Sequence, residues 1–218
     1  MSEEGLNTRW RVPLEWHEVW IRAITRPSLT TFEEMLADYR ASTSRAYTWI
    51  YATSLISQLA ILVGGWSTAR SPYDGLGAYP GADSPMLSLI CAPVSAGAAV
   101  LGFMISVGIF QWIAGRLGGT GEYENLAIAM ASYQAPPAVV SAVLGLLGSW
   151  VLCGQWLFIP LGIYSLVLQV MAIKAVNRFS WERAVATILI PVGVLVLVGC
   201  LATVVLGVTL GSLFEAGF

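Results

Sequence analysis

His17 is the only imidazole in the chain, and Cys91, Cys153 and Cys200 are its only thiols, so these four residues are the whole supply of soft ligands for a metal or a haem. His17 lies in a charged segment ahead of the first apolar run. A haem or chlorophyll carrier presents histidine from inside its membrane spans, so His17 reads as an interfacial or solvated side chain. The cysteines have no metal-ligand spacing. They read as small buried hydrophobes, with a disulfide between Cys91 and Cys153 left open because both fall toward the same face. The glycine-rich segment 115–121 lacks the lysine that a phosphate-cradling loop requires, and reads as a flexible connector. No cofactor and no metal site is expected.

Acid–base chemistry is equally thin. The stretches 84–115, 125–173 and 184–214 contain no Asp, Glu, Lys or Arg, and neither does the shorter stretch 46–69. An ionisable group inside a bilayer is costly, and where one occurs it marks an ion or proton route. Its absence argues against a proton-coupled pump, a voltage sensor or an intramembrane acid–base enzyme. A passive pore or a lipid-handling cavity stays open.

Uncharged polar groups remain: Ser57, Gln58, Ser106, Gln111, Ser132, Tyr133, Gln134, Ser165, Gln169 and Thr203. Such groups hydrogen-bond across helices as packing glue; lining a substrate path is the alternative. Ser132, Tyr133 and Gln134 lie within one turn ahead of Pro136 and Pro137, and a proline frees the backbone carbonyl one turn earlier. A functional cavity, if the chain has one, is expected there. Two ladders of small residues recur at intervals of four: Ala98, Gly102 and Ser106, and Gly199, Thr203, Gly207 and Gly211. This spacing lets helix backbones approach closely, within the chain or against a partner's helix.

The elements that must position these residues follow from composition. The chain is 56% hydrophobic and 11% charged, against about a quarter charged in a soluble domain. Its apolar runs are long and continuous, as in helical membrane proteins and not in barrels. A spanning helix takes roughly 20 residues. Five spans are therefore predicted, at about 46–66, 86–114, 126–148, 155–174 and 184–212, forming an all-α polytopic bundle over 46–214. With a cytoplasmic N-terminus, Arg9, Arg11, Arg22, Arg26, Arg40, Arg45, Arg116, Lys174, Arg178 and Arg183 all lie inside, and only Arg70 lies outside with the C-terminus. So one-sided a distribution fits the positive-inside rule. The cluster Arg116, Lys174, Arg178 and Arg183 sets topology and meets anionic headgroups.

Residues 1–45 form a cytoplasmic segment. No cleavable signal peptide is visible, so the first span is expected to act as its own insertion signal. Residues 1–12 read as a mobile tail. Residues 13–26 have a helical period, with Trp16, Val19, Trp20, Ala23 and Ile24 on one stripe and Glu15, Glu18, Arg22 and Arg26 away from it. Trp16, Trp20, Arg22 and Arg26 suit a helix lying in the headgroup layer; packing against other protein is the alternative. A second short helix is predicted over 31–41, capped at Thr30 or Thr31. Pro93 is expected to kink the second span. The segment 67–85 reads as an irregular outer loop, and 148–154 as a tight outer turn flanked by Trp150 and Trp156.

Local features then point to a family. Ile24-Thr25-Arg26-Pro27-Ser28 with Thr31-Phe32-Glu33-Glu34, Leu117-Gly118-Gly119-Thr120-Gly121 followed by Ala131-Ser132-Tyr133-Gln134-Ala135-Pro136, and the stretch from Ala175 through Trp181 to Pro191 resemble the Yip-domain family of five-span membrane proteins. The closer match is to its bacterial branch, over roughly residues 20–212. The family is named for interaction with Ypt/Rab GTPases, and its eukaryotic members act in vesicle traffic. The Asp-Leu-Tyr-Gly-Pro motif of those members is absent here, so that role is not carried over. A single lysine among eleven basic residues indicates a GC-rich prokaryotic genome. The resemblance supplies no catalytic residues.

The expected function is a non-enzymatic, multi-pass scaffold or accessory subunit of a larger respiratory, photosynthetic or transport assembly in the plasma (inner) membrane, acting through helix packing. The alternative is a channel or transporter for a small solute or lipid, with a cavity near Tyr133–Pro137. Expected partners are membrane lipids and other integral membrane subunits, and no nucleic acid.

Overall fold

The computed structural model describes residues 14–38, 40–68, 85–148 and 154–215. The predicted tail, most of the predicted outer loop, Arg70, Trp150 and Cys153 lie outside the described residues. Every element among the described residues is helical: α1 (Trp16–Thr25), α2 (Leu29–Leu36), α3 (Thr43–Thr68), α4 (Pro85–Arg116), α5 (Tyr123–Gly148), α6 (Gly154–Asn177) and α7 (Trp181–Glu215). Each long helix overruns its predicted span by up to three residues at an end. Apolar runs stop where charge begins, but a helix continues past them into water wherever its residues tolerate the conformation.

Among the described residues, four helices are long and apolar enough to cross a bilayer, over Met86–Arg116, Tyr123–Leu144, Ile159–Asn177 and Trp181–Val205. α3 has 26 residues, about 39 Å at 1.5 Å per residue. It is the least apolar of the five long helices. Pro93, Pro136, Pro137, Pro160 and Pro191 all sit within helices.

The two short helices form an antiparallel hairpin around Pro27. α1 begins where the Glu18 carboxylate accepts the Glu15 N–H (3.3 Å). It stops at Arg26 because the residue before a proline disfavours helix. α2 is capped two to three residues earlier than predicted: Ser28 Oγ accepts the Thr31 N–H at 3.0 Å, so the helix starts at Leu29 and ends at Leu36. Arg22 pairs with Glu34 across the hairpin at 3.8 Å.

α5 is the hub, contacting α1, α2, α3, α4 and α6. Its residues Leu126–Tyr133 are buried without a break, so the two turns that follow the first are wrapped on every side. α3 and α5 run parallel. Thr43 N–H donates to Glu124 (3.2 Å), the Tyr47 and Tyr123 hydroxyls lie 3.1 Å apart, and Ser57 reaches the Ala138 carbonyl (3.5 Å). α7 is the opposite case. Ala184, Thr187 and Ile188 are buried, but every residue from Val192 to Val205 is exposed.

Candidate functional site

A cleft of about 360 Å³ opens between α3, α4 and α5. Thr53 and Ser54 enter it from α3, Ser106 from α4 and Gln134 from α5, between the rings of Phe103 and Phe110 and the side chain of Met130. None of its lining residues is charged. Thr53, Ser106 and Gln134 lie ten, ten and eleven residues from Thr43, Arg116 and Tyr123, the helix ends at the basic face of the bundle. That is about 15 Å along each axis, half the thickness of a hydrocarbon core of about 30 Å. Ala99 and Ser106 line the cleft and are also exposed on the outer surface, so it opens sideways.

Two of the cleft's three hydroxyls, those of Thr53 and Ser106, are engaged as donors. Thr53 donates to the Trp49 carbonyl and Ser106 to the Gly102 carbonyl, each at 2.8 Å. Their oxygens keep lone pairs facing other partners. Gln134 Nε2 donates to the Tyr133 hydroxyl at 3.3 Å, which leaves the second amide proton and most of the carbonyl's capacity. Of the residues expected to form a cavity, only Gln134 lines this cleft. Ser132, Tyr133 and Pro136 are buried among helices, Ser132 donating to the Ala129 carbonyl at 2.8 Å, and Pro137 is half-buried. Thr53 and Ser54 were not singled out from sequence. The signal available was a Thr–Ser pair in a run that must face hydrocarbon or protein.

A second constellation ties α4, α6 and α7 at the basic end. The segment after α4 is not a flexible connector: its glycines are fitted against neighbours. Gly119 N–H donates to the Ala114 carbonyl at 2.9 Å, and Gly121 N–H to Asn177 Oδ1 at 3.3 Å. Gln111 Nε2 donates to the Gly121 carbonyl, Asn177 Nδ2 to the Ile173 carbonyl (3.2 Å) and Arg183 to the Leu117 carbonyl (3.3 Å). A Cβ on Gly119 would stand 2.6 Å from Asn177 Oδ1. Gly118 has φ +89°, which glycine adopts at no steric cost.

Three cations stack on tryptophans at this same end: Arg45 on Trp49 (4.9 Å), Arg116 on Trp112 (5.2 Å) and Lys174 on Trp181 (3.9 Å). In α1, Trp20 sits edge-to-face between Trp16 and Trp49, with centroids 5.1 and 5.8 Å away. Trp16 and Arg26 are exposed, while Val19 and Ala23 are buried, so α1 packs one face on the bundle. The Tyr164 hydroxyl donates to the Ile24 carbonyl at its end.

Where their surroundings are described, the small-residue ladders do not bring helices of this chain together. Ala98, Gly102, Ser106, Gly199 and Thr203 are exposed, and a Cβ added at Gly102 or Gly199 would meet nothing within 4 Å. Gly207 and Gly211 fall in the part of α7 whose side-chain surroundings lie outside the described residues. Cys91 and Cys200 are also exposed and carry free thiols, which corrects the expectation that they are buried. Both sit on helix faces that the bundle leaves uncovered.

The profile of the Yip1 domain matches residues 21–203, from within α1 to the second half of α7. The chain belongs to the Yip1 domain family. The Yip1 match takes in the cleft, the glycine-fitted segment, α3 to α6 and α7 as far as residue 203, and it identifies an integral membrane protein in contact with lipid. No curated protein and no solved structure matches the chain.

Proposed function

We propose that this Yip1-domain protein is a non-enzymatic scaffold or accessory subunit of a larger assembly in the plasma (inner) membrane, of the bacterial type, working through helix packing. One observation carries it: α7 is uncovered from Val192 to Val205. A spanning helix whose side chains stay exposed over that length offers them to another subunit. Purification in mild detergent tests this, with a co-purifying integral membrane chain as the expected result. A strictly monomeric protein with no companion overturns it.

The proposed topology has five spans, α3 being the first, with the N-terminus in the cytoplasm and the C-terminus outside. Support comes from the ten basic residues assigned to one side and from the three cation–tryptophan pairs at one end of the bundle. Cationic and aromatic side chains together suit the headgroup level. α1, with Trp16 outward and Val19 inward, then lies at the cytoplasmic interface while docked on protein. Tags at the two ends are expected to be accessible from opposite compartments; accessibility from the same one rules the topology out.

A second reading, a lipid or small-solute channel or transporter, is favoured by the cleft that Gln134 lines.

A further inference from the structure

The geometry points to the α3–α4–α5 cleft as a binding site for an uncharged lipid whose small polar end, bearing carbonyl or hydroxyl groups, lies near the bilayer centre. This inference rests on the second reading above and gives it a ligand class. Three features of the cleft select that class.

The first is charge. No acid or base lines the cleft, and a charged headgroup held there would be buried without a counter-ion, at high cost. The second is depth. Gln134, Ser106 and Thr53 stand about 15 Å from the helix ends. A phospholipid holds its ester groups and headgroup at the bilayer surface, so its polar end cannot reach Gln134 while its head stays in water. A lipid with no headgroup, such as an isoprenoid quinone or a diacylglycerol, is free to sink that far. The third is access and size. Ala99 and Ser106 are at once lining and outward-facing, so the mouth opens sideways into the apolar layer. The volume of about 360 Å³ lies at the low end for ligand sites of roughly 300–1,000 Å³, suited to a polar group with part of one chain.

The polar groups are matched to such a ligand. Thr53 and Ser106 have already given their protons to backbone carbonyls, so they accept from a ligand hydroxyl. Gln134 retains one amide proton for a ligand carbonyl. Phe103 and Phe110 supply flat apolar walls for a ring or a chain.

The test is native mass spectrometry of the full chain released from phosphatidylethanolamine–phosphatidylglycerol vesicles. One set of vesicles carries a short-chain ubiquinone and a second carries dioleoylglycerol. The expected result is one neutral lipid per chain in at least one set, and the two sets distinguish a quinone from a diacylglycerol. Occupancy is expected to fall at least tenfold in Gln134→Leu, which removes the amide, and in Ala99→Phe, which fills the mouth from an outward-facing position where a larger side chain is easily housed. A phospholipid adduct alone, lost in Ala99→Phe, overturns the neutral-lipid assignment while leaving the cleft as a lipid site. A wild-type protein with no neutral-lipid adduct, or adducts indifferent to both substitutions, overturns the assignment; indifference removes the cleft reading as well.

Discussion

Asp38→Ala is expected to release the α1–α2 hairpin from the bundle, at a cost of about 3 kcal/mol. Asp38 is the tie between the hairpin and α3. Its Oδ2 accepts the Leu14 N–H (3.3 Å) and a proton from Arg45 Nη1 (3.5 Å), and its Oδ1 accepts the Arg40 N–H (3.1 Å). Arg45 Nη2 also donates to the Leu14 carbonyl at 3.0 Å, closing a loop from the start of α1 to the end of α2 to the start of α3. The carboxylate side chain is only 4% exposed and the guanidinium 19%, so solvent screens the pair weakly. Removing one partner of a buried pair costs about 3–5 kcal/mol because the other charge is stranded. Here Arg45 keeps the Leu14 carbonyl and the Trp49 face, which puts the effect at the lower end. Hydrogen exchange over residues 14–36 should rise sharply while α5 stays protected. Unchanged protection of the hairpin would show that apolar packing by Val19, Ala23, Phe32 and Met35 suffices to hold it.

Gly121→Ala is expected to cost about 3 kcal/mol and Gly102→Ala almost nothing, read as thermal unfolding in detergent. An added Cβ at 121 would stand 2.7 Å from both Val176 Cγ1 and the Val176 carbonyl and 2.8 Å from Asn177 Oδ1. The carbonyl is backbone and cannot swing aside, so the segment must pull away from α6 and break the Gly121–Asn177 and Gln111–Gly121 hydrogen bonds. At Gly102 the same Cβ points into open space. Equal melting temperatures for the two variants would mean that the fitted segment contributes nothing to the fold.

The long helices were legible because hydrocarbon admits few polar side chains, and an uncharged run of 30 or more residues such as 84–115 leaves little choice. Which helix sits at the centre was not legible from apolarity, because lipid and protein interior are equally welcoming to Leu and Val. Among the four candidate spans, α7 is the most apolar and the least buried, and α5 the least apolar and the most buried. The usable signal was size. Ala127, Ala129, Ala131 and Ala135 are all buried in α5, and their small side chains let five neighbours approach at once. Gly199 and Thr203 recur at a helix-packing spacing of four yet are exposed, since spacing says that a close approach is possible and not that a helix is there to make it. The cleft was half legible: Gln134 stood out as an amide in an apolar run, but its partners Thr53 and Ser106 come from helices whose register against α5 no local pattern encodes. The segment 115–121 was misjudged for a related reason. Glycine reads as freedom in isolation, and only the presence of Asn177 and Val176 turns it into a requirement for a missing side chain.

The bareness of α7 beyond Ile188 separates two kinds of selective pressure along a single helix. Its first two turns answer to the tertiary structure through Ala184, Thr187 and Ile188, whereas the side chains from Val192 to Val204 are exposed and answer chiefly to staying lipid-soluble and helical. Drift there should be nearly free among Leu, Val, Ile and Ala. Any position in that stretch intolerant of such a swap would report a demand made from outside the polypeptide.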